Sequence, residues 1–172
     1  QGVPFPVIAL PALSLSHDWL DGYAAAMESL ASRIELAPAR GKRRGRVALV
    51  EHFFGRNEAD ERANAAELRL LLEKLGLEVV SVWPSGGTIA ELKAVGAASV
   101  ILALPHGRAA ARALASRTGA DLAELCLPFG FDGARRWLEE AGRACGRRRE
   151  ARRVAETELG AVLPAVEPLV SG

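Results

Sequence analysis

Cysteine, methionine and aromatic residues are all scarce in this chain of 172 residues. Two cysteines, Cys126 and Cys145, are too few for a disulfide framework and cannot form a four-thiolate metal site. Met27 is the only methionine and the chain starts at Gln1, so the sequence reads as a fragment or a processed form. No basic segment precedes an apolar one at its start, as a signal peptide would require. No run approaches 18 uninterrupted apolar residues, which excludes a membrane-spanning helix by length. Neither sign of charge dominates: 22 basic and 21 acidic side chains leave a net charge of +1. No global field therefore draws in nucleic acid. Lysine is nearly missing, and 19 of the 22 basic residues are arginine; with the abundant alanine, this reads as genome composition. The GxGxxG and GxxxxGK[ST] patterns are both absent, so nucleotide binding has no motif to support it.

What remains is the composition of a folded α/β domain, 49% apolar and 25% charged. A chain of this length buries roughly 70% of its unfolded surface and builds a core without staples. Val7-Ile8-Ala9-Leu10, bounded by Pro6 and Pro11, reads as a first short strand. Ser14 or Ser16 would then cap a helix bearing Leu20, Tyr23, Met27, Leu30 and Ile34, with Pro38 as its end. The basic stretch Arg40 to Arg46 reads as a solvated connector. Val47–Val50 is a second strand, continuous and apolar as in a sheet covered on both faces. Leu68, Leu71, Leu72 and Leu75 recur at helical spacing before Gly76, which is placed as a C-cap. Leu77 to Val82 is a third strand, and Thr88-Ile89-Ala90-Glu91 matches a capping box. Ser99 to Ala103 and Ala123 to Leu127 are two more strands, separated by an alanine-rich helix from Gly107 to Arg117. Asp132 would cap a helix with Trp137, Leu138, Ala141 and Cys145 on one stripe, and a charged helix from Arg147 to Val162 follows.

No hairpin dipeptide such as Asn-Gly occurs. Alternation of strand and helix predicts a three-layer α/β sandwich, with a mainly parallel sheet of four to five strands and helices on both faces. In such sheets ligands bind beyond the carboxyl ends of the strands. That rule singles out His52, Phe53 and Phe54 after one strand and Gly86 and Gly87 after the next. It adds His106, Gly107 and Arg108 after the third of these, and Phe129 after the last. Three of the five phenylalanines and two of the three histidines fall at these ends, and rings beside hydrogen-bonding groups suit a cofactor pocket or a subunit contact. Residue patterns identify no catalytic triad, paired carboxylates or metal-ligand cluster. Cys126 and Cys145 read as small core residues.

The order of several motifs resembles the middle part of the nitrogenase component-1-type oxidoreductases. The matching pieces are Leu10-Pro11 with the helix Asp21 to Met27, the strand Val47–Val50, and Glu67-Leu68-Arg69-Leu70-Leu71-Leu72-Glu73-Lys74-Leu75-Gly76-Leu77-Glu78-Val79. Gly86 to Leu92, Arg117-Thr118-Gly119, Pro128-Phe129-Gly130 and Trp137-Leu138 complete the series. The resemblance implies a Rossmann-like domain of a larger oxidoreductase subunit. A nitrogenase-cofactor assembly scaffold, in nitrogen fixation, stands first; a subunit of a dark-operative protochlorophyllide reductase stands second. From outside the family comes a third reading, a small-ligand-binding α/β domain without enzyme activity. Ala103 aligns with the position of the cofactor cysteine in the catalytic nitrogenase subunit. The other cluster ligands of the family lie outside this stretch, so residues 1–172 are expected to hold no cofactor and to be inactive alone. An iron–sulfur or molybdenum–iron–sulfur cluster is then implied only for the parent. Its implied partners are a paralogous subunit and an ATP-dependent reductase component, in the cytoplasm, with neither nucleic acid nor membrane.

Overall fold

Short apolar runs alternating with amphipathic stretches produce a parallel sheet covered on both faces. The computed structural model describes residues 7–10, 18–38, 44–50, 59–84 and 87–170. The elements are α1 (Trp19–Arg33), β1 (Arg46–Val50), α2 (Ala59–Lys74), β2 (Glu78–Trp83), the short α3 (Ile89–Lys93) and β3 (Val100–Ala103). They continue with α4 (Arg108–Thr118), β4 (Asp121–Glu124), α5 (Gly130–Ala144) and α6 (Arg148–Val170). Among the described residues the sheet has four strands in the order β2-β1-β3-β4, and every neighbouring pair is parallel.

The two central strands are the most apolar because both of their faces are covered. Alternation then divides their side chains between two cores. Val47, Leu49, Val100 and Leu102 join Leu68 and Leu72 of α2, Trp137 and Leu138 of α5, and Val154 of α6. Ala48, Val50, Ile101 and Ala103 join Met27 and Ala31 of α1 and Ala111 and Leu114 of α4. Register slips once, because Val47 pairs with Val79 but Ala48 pairs with Ser81. The unmatched Val80 lets β2 give Val79 and Val82 to one core, and Val80 and Trp83 to the other.

Arg117, in the last turn of α4, ties α4 to α1. Its guanidinium donates to the carbonyls of Ala31 and Ile34, the latter at 2.7 Å, where the end of α1 leaves acceptors open. Thr88 and Glu91 form the expected capping box of α3, and Gly76 has the positive φ of a C-cap at +75°.

Several expectations are corrected. Residues 7–10 form no strand; Val7 and Leu10 are 65% and 49% exposed, and the prolines on either side remove backbone donors that a ladder needs. Asp18 caps α1 by accepting the Asp21 amide at 3.0 Å, and the helix stops at Arg33, before Pro38. Ser14 and Ser16 lie outside the described residues. β4 begins two residues before the expected strand because pairing with β3, not hydrophobicity, sets its ends. Cys126 accordingly follows the strand instead of lying inside it. Asp132 sits in the first turn of α5, whose N-cap position is Phe129. α6 runs eight residues past Val162, through Pro164 and Pro168. Two prolines four apart leave their backbone gaps on one helix face, and Gly160 and Pro164 are exposed there, so water can solvate the freed carbonyls.

Candidate functional site

Strand order decides where a ligand can sit. From β1 the chain moves outward to β2, then crosses back over β1 to β3 and continues to β4. The order reverses between β1 and β3, whose carboxyl ends pair as Val50 with Ala103. A crevice opens at such a switch point in parallel sheets. The segment holding His52, Phe53 and Phe54 follows β1 directly, but these three residues lie outside the described ones, as does Gly86.

From the other side of the switch point comes a single 3-10 turn, Pro105–Gly107. The Leu104 amide donates to Val50 O at 2.9 Å, extending the β1–β3 contact past the last paired residues. Gly107 is buried directly against β1. A Cβ there would lie 2.8 Å from Val50 O and 2.9 Å from Val50 Cγ1, so only glycine permits this approach. Close packing of the turn on β1 therefore accounts for Gly107. His106, half-buried in the same turn, is engaged with its surroundings, and the turn packs against α1.

Arg108 opens α4 and reaches across to β4. Its Nη2 donates to Leu125 O at 3.3 Å, and its Nε lies 3.4 Å from Glu124 Oε2. Glu124 also holds Arg112 at 2.7 Å, so one carboxylate anchors two guanidinium groups. Arg108 thus braces the carboxyl end of β4 next to the 125–129 segment. Phe129, at the head of α5, is 62% exposed. Gly87 belongs to the opposite end of the rim, beyond β2. Glu91 Oε2 accepts the Thr88 amide at 2.6 Å and lies where a Gly87 Cβ would go. That carboxylate already occupies the place an anion would take in front of α3.

The sequence candidates thus divide in two. His106, Gly107 and Arg108 stand together beside the switch point and are linked through Arg108 to the β4 end, whereas Gly87 serves the cap of α3. Cluster ligation does not fit these residues. Cys126 follows the carboxyl end of β4, while Cys145 terminates α5 at the amino edge of the sheet, so the two thiols cannot share one cluster. Among the described residues no three His, Cys, Asp or Glu side chains converge as a metal site. Cys145 is half-buried, and burial pushes its thiol up to about 11 against a smaller opposing pull from Arg147.

Sequence reasoning missed the opposite edge. Here a cavity of about 470 Å³ opens between the amino ends of β1, β3 and β4 and the α5–α6 corner. Arg44, Ser99, Asp121, Arg143, Cys145 and Arg147 line it. The available signal was two arginine-rich runs in the sequence, 40–46 leading into β1 and 147–153 leading into α6.

No helix among the described residues is long and apolar enough to cross a membrane. The profile of the family "Nitrogenase component 1 type Oxidoreductase" matches residues 1–169. Subunit N of light-independent protochlorophyllide reductase from Prochlorococcus marinus (strain MIT 9313) is 33% identical over 135 residues, 74% of this chain and 32% of the relative. The protein of the same description from strain MIT 9303 gives the same figures. The chain spans about a third of the length of these curated relatives. A solved nitrogenase structure, nitrogenase Cp1 at pH 6.5, superposes with a TM-score of 0.67 over 86% of this chain and 28% of that one. At 15% identity this likeness speaks for the fold alone. With the family profile matching residues 1–169 and a curated relative 33% identical over 74% of this chain, the chain belongs to the nitrogenase component 1 type oxidoreductases.

Proposed function

We propose that this chain is one α/β domain of a nitrogenase-like reductase subunit of the protochlorophyllide reductase type, acting on a tetrapyrrole, and that its carboxyl rim faces cofactor, substrate or partner subunit. The carrying observation is the switch point between β1 and β3, bordered by His106 and Arg108, in a chain one-third identical to subunit N. That identity supports the tetrapyrrole reading over the cofactor-assembly scaffold that the motif series alone favoured. The parent would work in the cytoplasm with a paralogous subunit and an ATP-dependent reductase component, and any iron–sulfur cluster would be held by residues outside the stretch described above. Within this domain, the Arg108–Glu124–Arg112 group keeps the rim rigid, and His106, Phe129 and the segment after β1 supply its chemistry. A half-buried imidazole and an exposed ring on the same rim suit a large, flat, partly polar ligand or an apolar subunit contact.

The test uses the full-length subunit co-expressed with its partner and supplied with reductase component, ATP and reductant. Protochlorophyllide reduction is read by absorbance and subunit pairing by gel filtration. His106→Ala combined with Phe129→Ala should lower activity or pairing about tenfold. The melting temperature should move by no more than about 2 °C. Unchanged activity and pairing would remove the rim from the reaction. A wild-type complex that reduces no tetrapyrrole, but passes a metal–sulfur cluster to an acceptor protein, would return the reading to the assembly scaffold.

A further inference from the structure

The cavity at the amino edge belongs to no part of the reading above, and its wall is chemically one-sided. Three arginines, Arg44, Arg143 and Arg147, line a volume of about 470 Å³, with Asp121 the one acidic residue among the described lining. A smaller hollow of about 170 Å³ adjoins it through Arg143 and adds Arg148, Arg152 and Glu139. Five arginines thus meet two carboxylates at one corner of the fold.

Several arginines elsewhere are taken up by the fold, and those at this corner are not. Arg46 pairs with Glu78 at 2.8 Å, Arg108 and Arg112 share Glu124, and Arg117 caps α1. Among the described residues, none of the five at this corner has a hydrogen-bond or ion-pair partner for its side chain. Helix stabilisation accounts for at most one of them. Arg143 lies in the last turn of α5, where a cation suits the dipole. Arg147 and Arg148, however, lie immediately before and at the start of α6, where a cation opposes it. A bound anion would offset both the dipole and the mutual repulsion.

The shape narrows the ligand. Gly45 and Gly146 contribute wall without side chains, at φ +91° and +69°, and Val47 and Val100 are the buried ends of the sheet behind them. Ser99 Oγ already donates to Arg46 O at 2.8 Å and so offers a ligand only lone pairs. Among the described residues no aromatic side chain lines either hollow, so none of them stacks a nucleic-acid base. Several arginines gathered around a pocket of small-molecule size supply bidentate donors that match the oxygens of linked phosphates. We infer that the amino-edge cavity binds a small polyphosphate anion, a di- or triphosphate group, either free or carried on a nucleotide.

Inorganic pyrophosphate is the probe, titrated into the 172-residue chain by calorimetry at about 50 mM salt. The expected result is one site per chain, weakened about tenfold or more in Arg143→Gln with Arg147→Gln, and unchanged in Arg136→Gln on the exposed side of α5. ADP, titrated in parallel, separates the sources: tighter binding than pyrophosphate assigns a nucleotide, and equal or weaker binding assigns the free anion. A readout that needs no variant is the amide spectrum, in which pyrophosphate should shift Gly45, Ser99 and Gly146 first. Absence of saturable binding up to about 5 mM overturns the inference. So does equal loss in Arg136→Gln, or shifts confined to other amides.

Discussion

Trp83 and Trp137 are both fully buried, one in each core, yet only one has a use for its indole N–H. Trp83 Nε1 donates to Leu92 O at 3.0 Å. Trp137 Nε1 is buried with no acceptor. Truncating either residue to alanine should cost about 3–5 kcal/mol through lost burial and the cavity left behind. Phenylalanine separates them. Trp→Phe removes the same atoms at both sites, leaving a comparable void worth about 1–2 kcal/mol. At position 137 it also removes an unpaired buried donor, whose desolvation costs about 1–3 kcal/mol, so the two effects roughly cancel. At position 83 it breaks a bond worth about 1 kcal/mol and deprives the Leu92 carbonyl of that donor. Trp83→Phe should therefore be less stable than Trp137→Phe by about 2 kcal/mol, or roughly 5 °C in melting temperature. Urea melts followed by far-UV circular dichroism measure this without depending on tryptophan emission. Equal losses at the two positions would refute the reasoning, because they would mean that the Trp137 N–H finds an acceptor in solution.

Three further outcomes are expected. Gly142→Ala normally favours a helix, but here its Cβ would lie 2.4 Å from Ala151 Cβ and 2.9 Å from Arg147 O, forcing α5 and α6 apart; a net loss of about 1–2 kcal/mol should appear in thermal melts, and a gain would show that the helices yield. Arg117→Ala should cost about 1–2 kcal/mol in urea melts by opening the carbonyl end of α1, with Arg117→Lys recovering part of it because an ammonium has no planar fork to span both carbonyls. Cys145 should resist alkylation at pH 8 until the chain is unfolded. Since folding raises its thiol from 9.0 to about 11, the associated stability is complete below pH 9 and falls as pH rises toward 11, which stability measured across that range would detect.

The fold was legible where one physical demand acted alone. Val47–Val50 and the β3 run announce themselves because strands covered on both faces must be continuously apolar. The Thr88–Glu91 capping box and Gly76 were legible because a helix end has few ways to satisfy its backbone. Expectations failed where partners decided. Val7–Leu10 is apolar enough for a strand but has no ladder, and β4 follows the register of β3 at Asp121 although its apolar residues begin later. The end of α6 was misread for the opposite reason: two prolines are strong breakers in isolation, but their spacing lets both defects face solvent.

The placement of candidate site residues was legible to the extent that topology speaks through sequence order. Apolar runs locate strand ends, and strand ends of a parallel sheet converge on one rim, which is why His106 and Arg108 could be named together. Their chemistry was less accessible. Arg108 looks free in sequence, since its partners Glu124 and Leu125 arrive from a strand 16 and 17 residues away, and pairing turns it from a ligand-seeking cation into a brace. The arginines of the amino edge pose the converse problem. Arg44, Arg143 and Arg147 come from segments about 100 residues apart, and each run alone reads as an ordinary solvated surface. Folding brings them around one cavity in which Asp121 is the one acidic residue among the described lining. An arginine that looks available in sequence can be consumed by the fold, whereas arginines that look incidental can be left unsatisfied by it. Unpaired charge, a property of the assembled structure alone, therefore distinguishes the two edges of this sheet: one is braced internally, and the other still has positive charge to neutralise.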